Sequence, residues 1–142
     1  MRRPLLLPLL AVTVVLAGCG SQASKNTDSS KDFSGEQKAV ATTVEDLQTA
    51  AREKDGTKVC ADLITAQLRD QISATNCGKA VKDAIRETDE VDLTVTSVTI
   101  DGTSAVAQVK EKTGDDASRK RTVKLEKAAG KWRISELPQP QS

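Results

Sequence analysis

The chain has 142 residues, with 21 Lys and Arg against 20 Asp and Glu, no histidine and no tyrosine. Its net charge of +1 excludes the strong positive field by which basic domains attract nucleic acid. The absence of histidine removes the side chain that most often moves protons near pH 7. The length fits one domain of about a hundred residues after an N-terminal leader.

The first eighteen residues have the three-part pattern of an export signal. Two arginines follow Met1, and an apolar run covers residues 5–17. That run is shorter than the roughly 20 apolar residues that a membrane-spanning helix needs. We therefore expect residues 1–18 to be a signal peptide that is removed.

Residues 16–19, Leu-Ala-Gly-Cys, resemble the lipobox of bacterial lipoproteins. The resemblance implies that the sulfur of Cys19 receives diacylglycerol, with acyl chains such as palmitate, and that the chain is cut before Cys19. Such a protein is held at the extracytoplasmic face of the cell membrane by its lipid. The alternative is an ordinary secreted protein with a free cysteine near its cleavage site.

The three cysteines form an even set only if one of them is blocked. With lipid on Cys19, Cys60 and Cys77 can form a structural disulfide in an oxidising compartment. Two buried free thiols, a redox pair or a metal site are the alternatives. A metal site needs more ligands than a chain without histidine offers here, so we expect no metal and no cofactor.

Composition divides the mature chain into three parts. Residues 19–35 are polar, rich in Ser, Lys, Asn and Asp, and are expected to form a lipidated flexible tether. Residues 36–137 are expected to form the folded domain. Residues 138–142 are expected to form a disordered tail.

The first half of the domain shows helical periodicity. Ser34 and Gln37 have the spacing of a capping box that opens the first helix. A second helical stretch contains Cys60 and has a candidate break near Thr65, and a third begins near Asn76. The apolar residues of these three faces are Val40, Val44, Leu47, Ala51, Cys60, Leu63, Ile64, Leu68, Ile72, Cys77, Val81, Ala84 and Ile85.

The second half alternates with the period of strands. The alternation changes phase between Val95 and Val98, which predicts a β-bulge at residues 96–97. An Asp-Gly turn at 101–102 predicts a hairpin in which Val98 lies opposite Ala105. Two more strands follow, and Pro138 is expected to close the last one. The predicted class is α+β, with three N-terminal helices packed on a curved four-stranded antiparallel sheet.

This order of elements, the Gly-Lys-Trp-Arg-Ile run at residues 130–134 and the cysteine pair resemble the NTF2-like (cystatin-like) superfamily. Within it, the chain is similar to small exported lipoproteins of actinobacteria. The resemblance covers Glu36 to Leu137 and implies a cone with an internal cavity. Enzymes of the superfamily use an acid–base Asp or His in that cone, but fold alone does not transfer the activity.

The inner face of the predicted sheet offers a candidate pocket without an acid–base group. Asp92 and Glu126 are expected to point outward, so we do not expect catalysis. The candidate pocket consists of Trp132, Val95, Val98, Val109 and Leu125. These side chains either surround a small apolar ligand or fill the core, and we favour the filled core.

A basic surface is expected on the third strand, formed by Arg119, Lys120, Arg121 and Lys124. It could meet anionic lipid, wall polymer or an acidic partner, or it could be a solvated face whose lysines discourage edge pairing. Aromatic residues for stacking on nucleic acid are absent from it.

The sequence therefore favours a membrane-anchored, non-catalytic binding or accessory module at the cell envelope. Its partners would be the membrane, through the lipid on Cys19, and an unidentified envelope protein. A carrier of a small apolar ligand or lipid is the alternative, and an NTF2-like enzyme is the third hypothesis. Pairing of two domains through the sheet is a further expectation of the resemblance.

Overall fold

Four helices precede four strands in the computed structural model, which describes residues 28–88, 90–114 and 117–140. The helices are α1 (Gly35–Arg52), α2 (Gly56–Lys58), α3 (Ala66–Ser73) and α4 (Cys77–Arg86). The strands are β1 (Val91–Asp101), β2 (Ser104–Thr113), β3 (Arg119–Ala128) and β4 (Lys131–Pro140). The predicted signal peptide, the lipidation site Cys19 and the tether up to residue 27 lie outside the described residues.

Helix α1 packs on the sheet because its apolar residues share one face. Val40, Ala41 and Val44 are fully buried there. Ser34 is the N-cap as expected, but its side chain makes no capping hydrogen bond, so the predicted capping box is wrong. Gln37 instead donates from Nε2 to the carbonyl oxygen of Val98 at 2.9 Å, which ties the first turn of α1 to the sheet.

The predicted second helix is two pieces separated near Thr65, where a break was expected. A π-helical turn (Val59–Leu63) follows α2, and Ile64 and Thr65 are extended. Thr65 donates from its backbone N to the carbonyl oxygen of Ile134 at 2.9 Å, and its side chain caps α3 by accepting from Leu68 N. The break therefore lets this segment pair with β4.

The sheet is antiparallel in the order β1-β2-β3-β4, which confirms the predicted α+β class. The predicted bulge is present between Val95 and Ser97. The predicted hairpin register is wrong by two residues, because Val98 pairs with Ala107. The turn residues are Gly102 and Thr103, and Gly102 has φ +59°, a conformation that favours glycine. A shift of two keeps the same side chains on the inner face.

Residues 28–33, which we call the N-terminal strap, pack on the domain, so the predicted tether 19–35 extends too far. Ser29 and Ser30 are buried between α1 and the edge of β1. The backbone N of Val95 donates to Ser29 Oγ at 3.0 Å. Glu45 of α1 accepts hydrogen bonds from Ser29 Oγ at 3.0 Å and from Ser30 N at 2.7 Å. These bonds fix a segment that has little apolar surface of its own.

Strand β4 continues through Pro138 to Pro140, so the predicted tail 138–142 begins too early. Gln139 pairs with Thr122 and Glu136 pairs with Lys124, and the register shifts between these two pairs. Pro138 therefore lies at an irregularity of an edge strand, where a residue without an N–H group is tolerated.

The core lies between α1, the π-helical turn and the inner face of the sheet. Its fully buried large side chains are Ile64, Leu125, Ile134, Val40, Val44, Val109 and Val123. A disulfide joins Cys60 of the π-helical turn to Cys77 at the start of α4, as the sequence predicts, with an S–S distance of 2.04 Å. In the part of the chain that the structure describes, no helix has both the length and the apolar character to span a bilayer.

Candidate functional site

The five candidate pocket residues all lie inside the core. Val95, Val98, Val109, Leu125 and Trp132 are each at most 6% exposed. They belong to the cluster that α1 covers, and four of them line neither of the two clefts described below. At these positions the interior of the domain is packed with side chains.

A cleft of about 390 Å³, which we call the side cleft, opens beside the core between α1, α4 and β1. It exists because α4 packs against α2, α3 and the π-helical turn, whereas α1 packs on the sheet. The apolar residues Val81 and Ile85 of α4 are therefore only half-buried. The apolar lining of the cleft is Leu47, Ala51, Ile85, Val91 and Leu93.

Polar groups close one side of the side cleft. Arg52 of α1 forms an ion pair from Nε to Glu90 at 3.1 Å and a second ion pair with Asp92. Gln48 accepts a hydrogen bond from the backbone N of Leu93 at 2.6 Å. The guanidinium charge is thus compensated by two carboxylates, and the lining of the cleft is mainly apolar.

A second, broader groove of about 720 Å³ runs past the first turn of α1 and includes Trp132. Glu36 accepts hydrogen bonds from Lys127 Nζ at 2.7 Å and from Trp132 Nε1 at 2.6 Å. Lys127 Nζ also lies 5.7 Å from the centre of the indole ring. The hydrogen bond from Lys127, and then that from Trp132, lower the pKa of Glu36. Trp132 is therefore a core side chain whose polar edge is anchored at the surface.

One carboxylate lies on the inner face of the sheet, so the expectation that none does is wrong. Glu111 follows Val109 on the same face of β2 and pairs in register with the buried Leu93. Arg121 donates to both Glu111 oxygens, from Nε at 3.2 Å and from Nη2 at 3.3 Å. The two side chains are 21% and 17% exposed. This bidentate pair occupies the carboxylate. The sequence signal for it is strand alternation, which continues from Val109 to Glu111 on the inner face.

The predicted basic surface is divided between the two faces of the sheet. Lys120 and Lys124 are exposed on the outer face, whereas Arg121 lies on the inner face with Glu111. Arg119 shares the phase of Arg121 and pairs in register with Glu111. The prediction of one surface from four residues is therefore wrong, since alternate strand residues face opposite ways. Lys124 is also bound to Glu136 at 3.0 Å.

Within residues 28–88, 90–114 and 117–140, no group of three or more Cys, Asp and Glu side chains is arranged to hold a metal ion.

Asp92 and Glu126, which were both expected to point outward, differ in their surroundings. Glu126 is exposed on the outer face, and Asp92 is half-buried against Arg52.

Comparisons with known proteins found likenesses in structure only. No family model and no curated protein matches the chain. A five-substitution variant named Rd1NTF2_05 is 15% identical, with a TM-score of 0.48 over 68% of this chain and 89% of that one. A protein of Shewanella baltica OS155, described as NTF2-like and of unknown function, is 15% identical, with a TM-score of 0.44 over 72% and 93% of the two chains. The chain is similar in structure to these two proteins.

Proposed function

We propose that the protein is an exported lipoprotein, anchored by lipid on Cys19 at the extracytoplasmic face of the cell membrane. The observation that supports this most is the Cys60–Cys77 disulfide, because such bonds persist in oxidising compartments. The chain has three cysteines, so the disulfide leaves Cys19 as the remaining thiol. Residues 16–19 provide the motif that would direct lipid to it.

The folded domain acts, in this proposal, as a non-catalytic binding or accessory module for an envelope protein. Two features support this role. The inner face of the sheet is filled by apolar side chains, and its carboxylate, Glu111, accepts hydrogen bonds from Nε and Nη2 of Arg121. The residues of α1, α3 and α4 that do not pack on the core are exposed and mostly polar, which suits a surface contact with another protein.

Expression of the full chain and its Cys19→Ala variant in a bacterial host tests the anchor and the partner together. We expect the wild-type protein in the membrane fraction and the variant in the soluble extracytoplasmic fraction. Chemical cross-linking before lysis should then join the wild-type domain to an envelope protein. Equal fractionation of both proteins would contradict the anchor, and a domain that cross-links to nothing would contradict the module.

The side cleft supports a second candidate function, a carrier of a small apolar ligand or lipid. Its volume of about 390 Å³ falls in the range of ligand pockets, and its lining is mainly apolar. Native mass spectrometry of the purified protein would show a retained ligand. Ala51→Phe would fill the cleft and abolish retention. Ala84→Phe would leave retention unchanged, because Ala84 is exposed on α4 outside the cleft and does not lie on the apolar helix face as predicted. The absence of any ligand from the wild-type protein would contradict the carrier.

A further inference from the structure

Three exposed lysines lie together on the outer face of the sheet, and we call them the outer lysine cluster. They are Lys110 and Lys112 of β2 and Lys120 of β3. Lys110 and Lys120 are directly opposite each other in register. Like charges in that position disfavour the pairing of the two strands, so packing alone does not explain their presence.

On the outer face of the sheet, the basic and the acidic side chains are concentrated at opposite ends of the strands. Lys124, further along β3, is bound to Glu136, and the exposed acids Asp101 and Glu126 lie at the opposite end of the face. Among the described residues, none of the three lysines of the cluster forms an ion pair. Two further acids, at positions 115 and 116, come between β2 and β3 in the sequence and lie outside the described residues. Asp92 pairs in register with Lys112, but its carboxylate is bound to Arg52. The end of the face where β2 ends and β3 begins is therefore the basic end.

The N-terminal strap, which follows the tether in the chain, is held beside this end of the face. Ser29 is bound to the backbone N of Val95 on the free edge of β1, and the neighbouring Thr94 pairs in register with Lys110. Since adjacent strands are about 4.8 Å apart, Lys110 lies one strand and Lys120 two strands from the point where the strap is held.

The tether is short. Only eight residues, 20–27, separate Cys19 from Asp28. Their greatest reach is about 30 Å, and their root-mean-square span as a flexible chain is about 15–18 Å. A domain of this size on such a tether stays next to the surface that holds the lipid, at a high effective concentration.

We propose that the outer lysine cluster binds the anionic head groups of the membrane in which the lipid on Cys19 is embedded. This inference rests on the proposed lipid anchor and adds an orientation to it: the outer face of the sheet lies against the bilayer, and α1 points away from it. An anionic surface attracts lysines that come within a screening length of about 8 Å at physiological salt. The same orientation makes the outer face unavailable for pairing with a second domain.

Lysine acetylation followed by mass spectrometry tests the orientation on the processed full chain. The protein is reconstituted in vesicles of phosphatidylcholine alone or with phosphatidylglycerol added. We expect Lys110, Lys112 and Lys120 to be acetylated several-fold more slowly in the anionic vesicles, and 1 M salt to remove the difference. Lys38 and Lys79, which are exposed on the helices, should react equally in both.

A variant with Lys110→Gln, Lys112→Gln and Lys120→Gln should bind anionic vesicles about two orders of magnitude more weakly, because each such lysine strengthens binding about fivefold. Lys38→Gln, Lys79→Gln and Lys82→Gln together remove the same charge from the helices and should leave binding nearly unchanged. Equal acetylation of the cluster in both kinds of vesicle would overturn the proposal. Protection in whole envelopes but not in anionic vesicles would also overturn it, in favour of an acidic protein or polymer.

The intact mass of the same sample separates the two proposals. A protein without lipid contradicts the anchor, and the vesicle titration of the two triple variants still tests the lysines. A lipidated protein with an unprotected cluster contradicts only the orientation.

Discussion

Glu36 connects the first turn of α1 to the last hairpin of the sheet. Its carboxylate accepts hydrogen bonds from Lys127 Nζ and from Trp132 Nε1. One side chain therefore satisfies the indole N–H group and compensates the positive charge of Lys127. The position of the carboxylate near the N-terminus of α1 is also favourable for its charge. The sequence predicts Trp132 as a core side chain, but the contact with Glu36 spans 96 residues and has no local signal.

Glu36→Gln should lower the free energy of unfolding at neutral pH, and acid should remove the difference. The two hydrogen bonds lower the pKa of Glu36 from its usual 4.5, so its stabilising contribution is complete above that value and is lost as the pH falls through the lower, folded-state pKa. Urea unfolding between pH 3 and pH 7 measures this. Glu87→Gln, at an exposed end of α4, is the control. A difference from wild type that stays constant over that pH range would contradict the account.

Ser29 provides a second residue-scale test, since it satisfies the backbone N–H of Val95 beside the bulge. Ser29→Ala leaves that buried group without its partner, which should cost about 1–3 kcal/mol in urea unfolding. Ser34→Ala is a matched control, because Ser34 is exposed and makes no capping hydrogen bond. It should change stability by less than about 0.5 kcal/mol. A cost of Ser29→Ala no larger than that of Ser34→Ala would show that the Ser29 hydroxyl does not stabilise the strap.

At the scale of elements, α2 and α4 cross with almost no space between their backbones. A Cβ atom at Gly56 would lie 2.1 Å from the carbonyl oxygen of Gly78 and 2.9 Å from the backbone N of Lys82. The disulfide between Cys60 and Cys77 holds the same two segments together. Close approach and covalent link therefore fix one arrangement of the helices.

Gly56→Ala should destabilise the protein by at least about 1–3 kcal/mol, because backbone atoms must move to admit the methyl group. Gly78→Ala is the matched control. Its nearest contact is the side chain of Thr57 at 3.3 Å, and the gain in helix propensity of up to about 1 kcal/mol offsets the crowding. Thermal unfolding of both variants measures the difference. A Gly56→Ala protein as stable as wild type would show that the helices are further apart.

Local sequence patterns predicted the helices and strands better than they predicted which residues pair across the sheet. The change of phase between Val95 and Val98 was sufficient to predict the bulge, and the Asp-Gly pair identified the hairpin. The register was missed by two residues because either of two dipeptides can form the turn, and both keep the same inner face. The continuation of β4 past Pro138 depends on its place at the sheet edge, which composition does not reveal.

The candidate sites depended more on long-range placement. The side cleft arises from the separation of α4 from the sheet, and no single residue pattern reports that separation. The pairing of Glu111 with Arg121 follows from strand alternation once the strand ends are known. The outer lysine cluster could likewise be predicted only once the register of β2 and β3 is known. Lys110 and Lys120 are ten residues apart in sequence and are adjacent only in the sheet.

At the scale of the whole molecule, the proposed location at the membrane depends on the three cysteines and on the length of chain between the lipid and the domain. The disulfide uses two of them, and only residues 20–27 separate Cys19 from the first described residue, Asp28. The domain is thereby expected to remain at the membrane surface, where both its outer face and its side cleft would meet envelope components.

The most direct test is the intact mass of the processed protein under non-reducing conditions, combined with titration of its free thiols. We predict a chain that begins at Cys19, carries diacylglycerol on that residue, is two hydrogens lighter because of the Cys60–Cys77 bond, and has no titratable thiol. A chain that begins at another residue, an unmodified Cys19, or two free thiols in the folded protein would contradict the account.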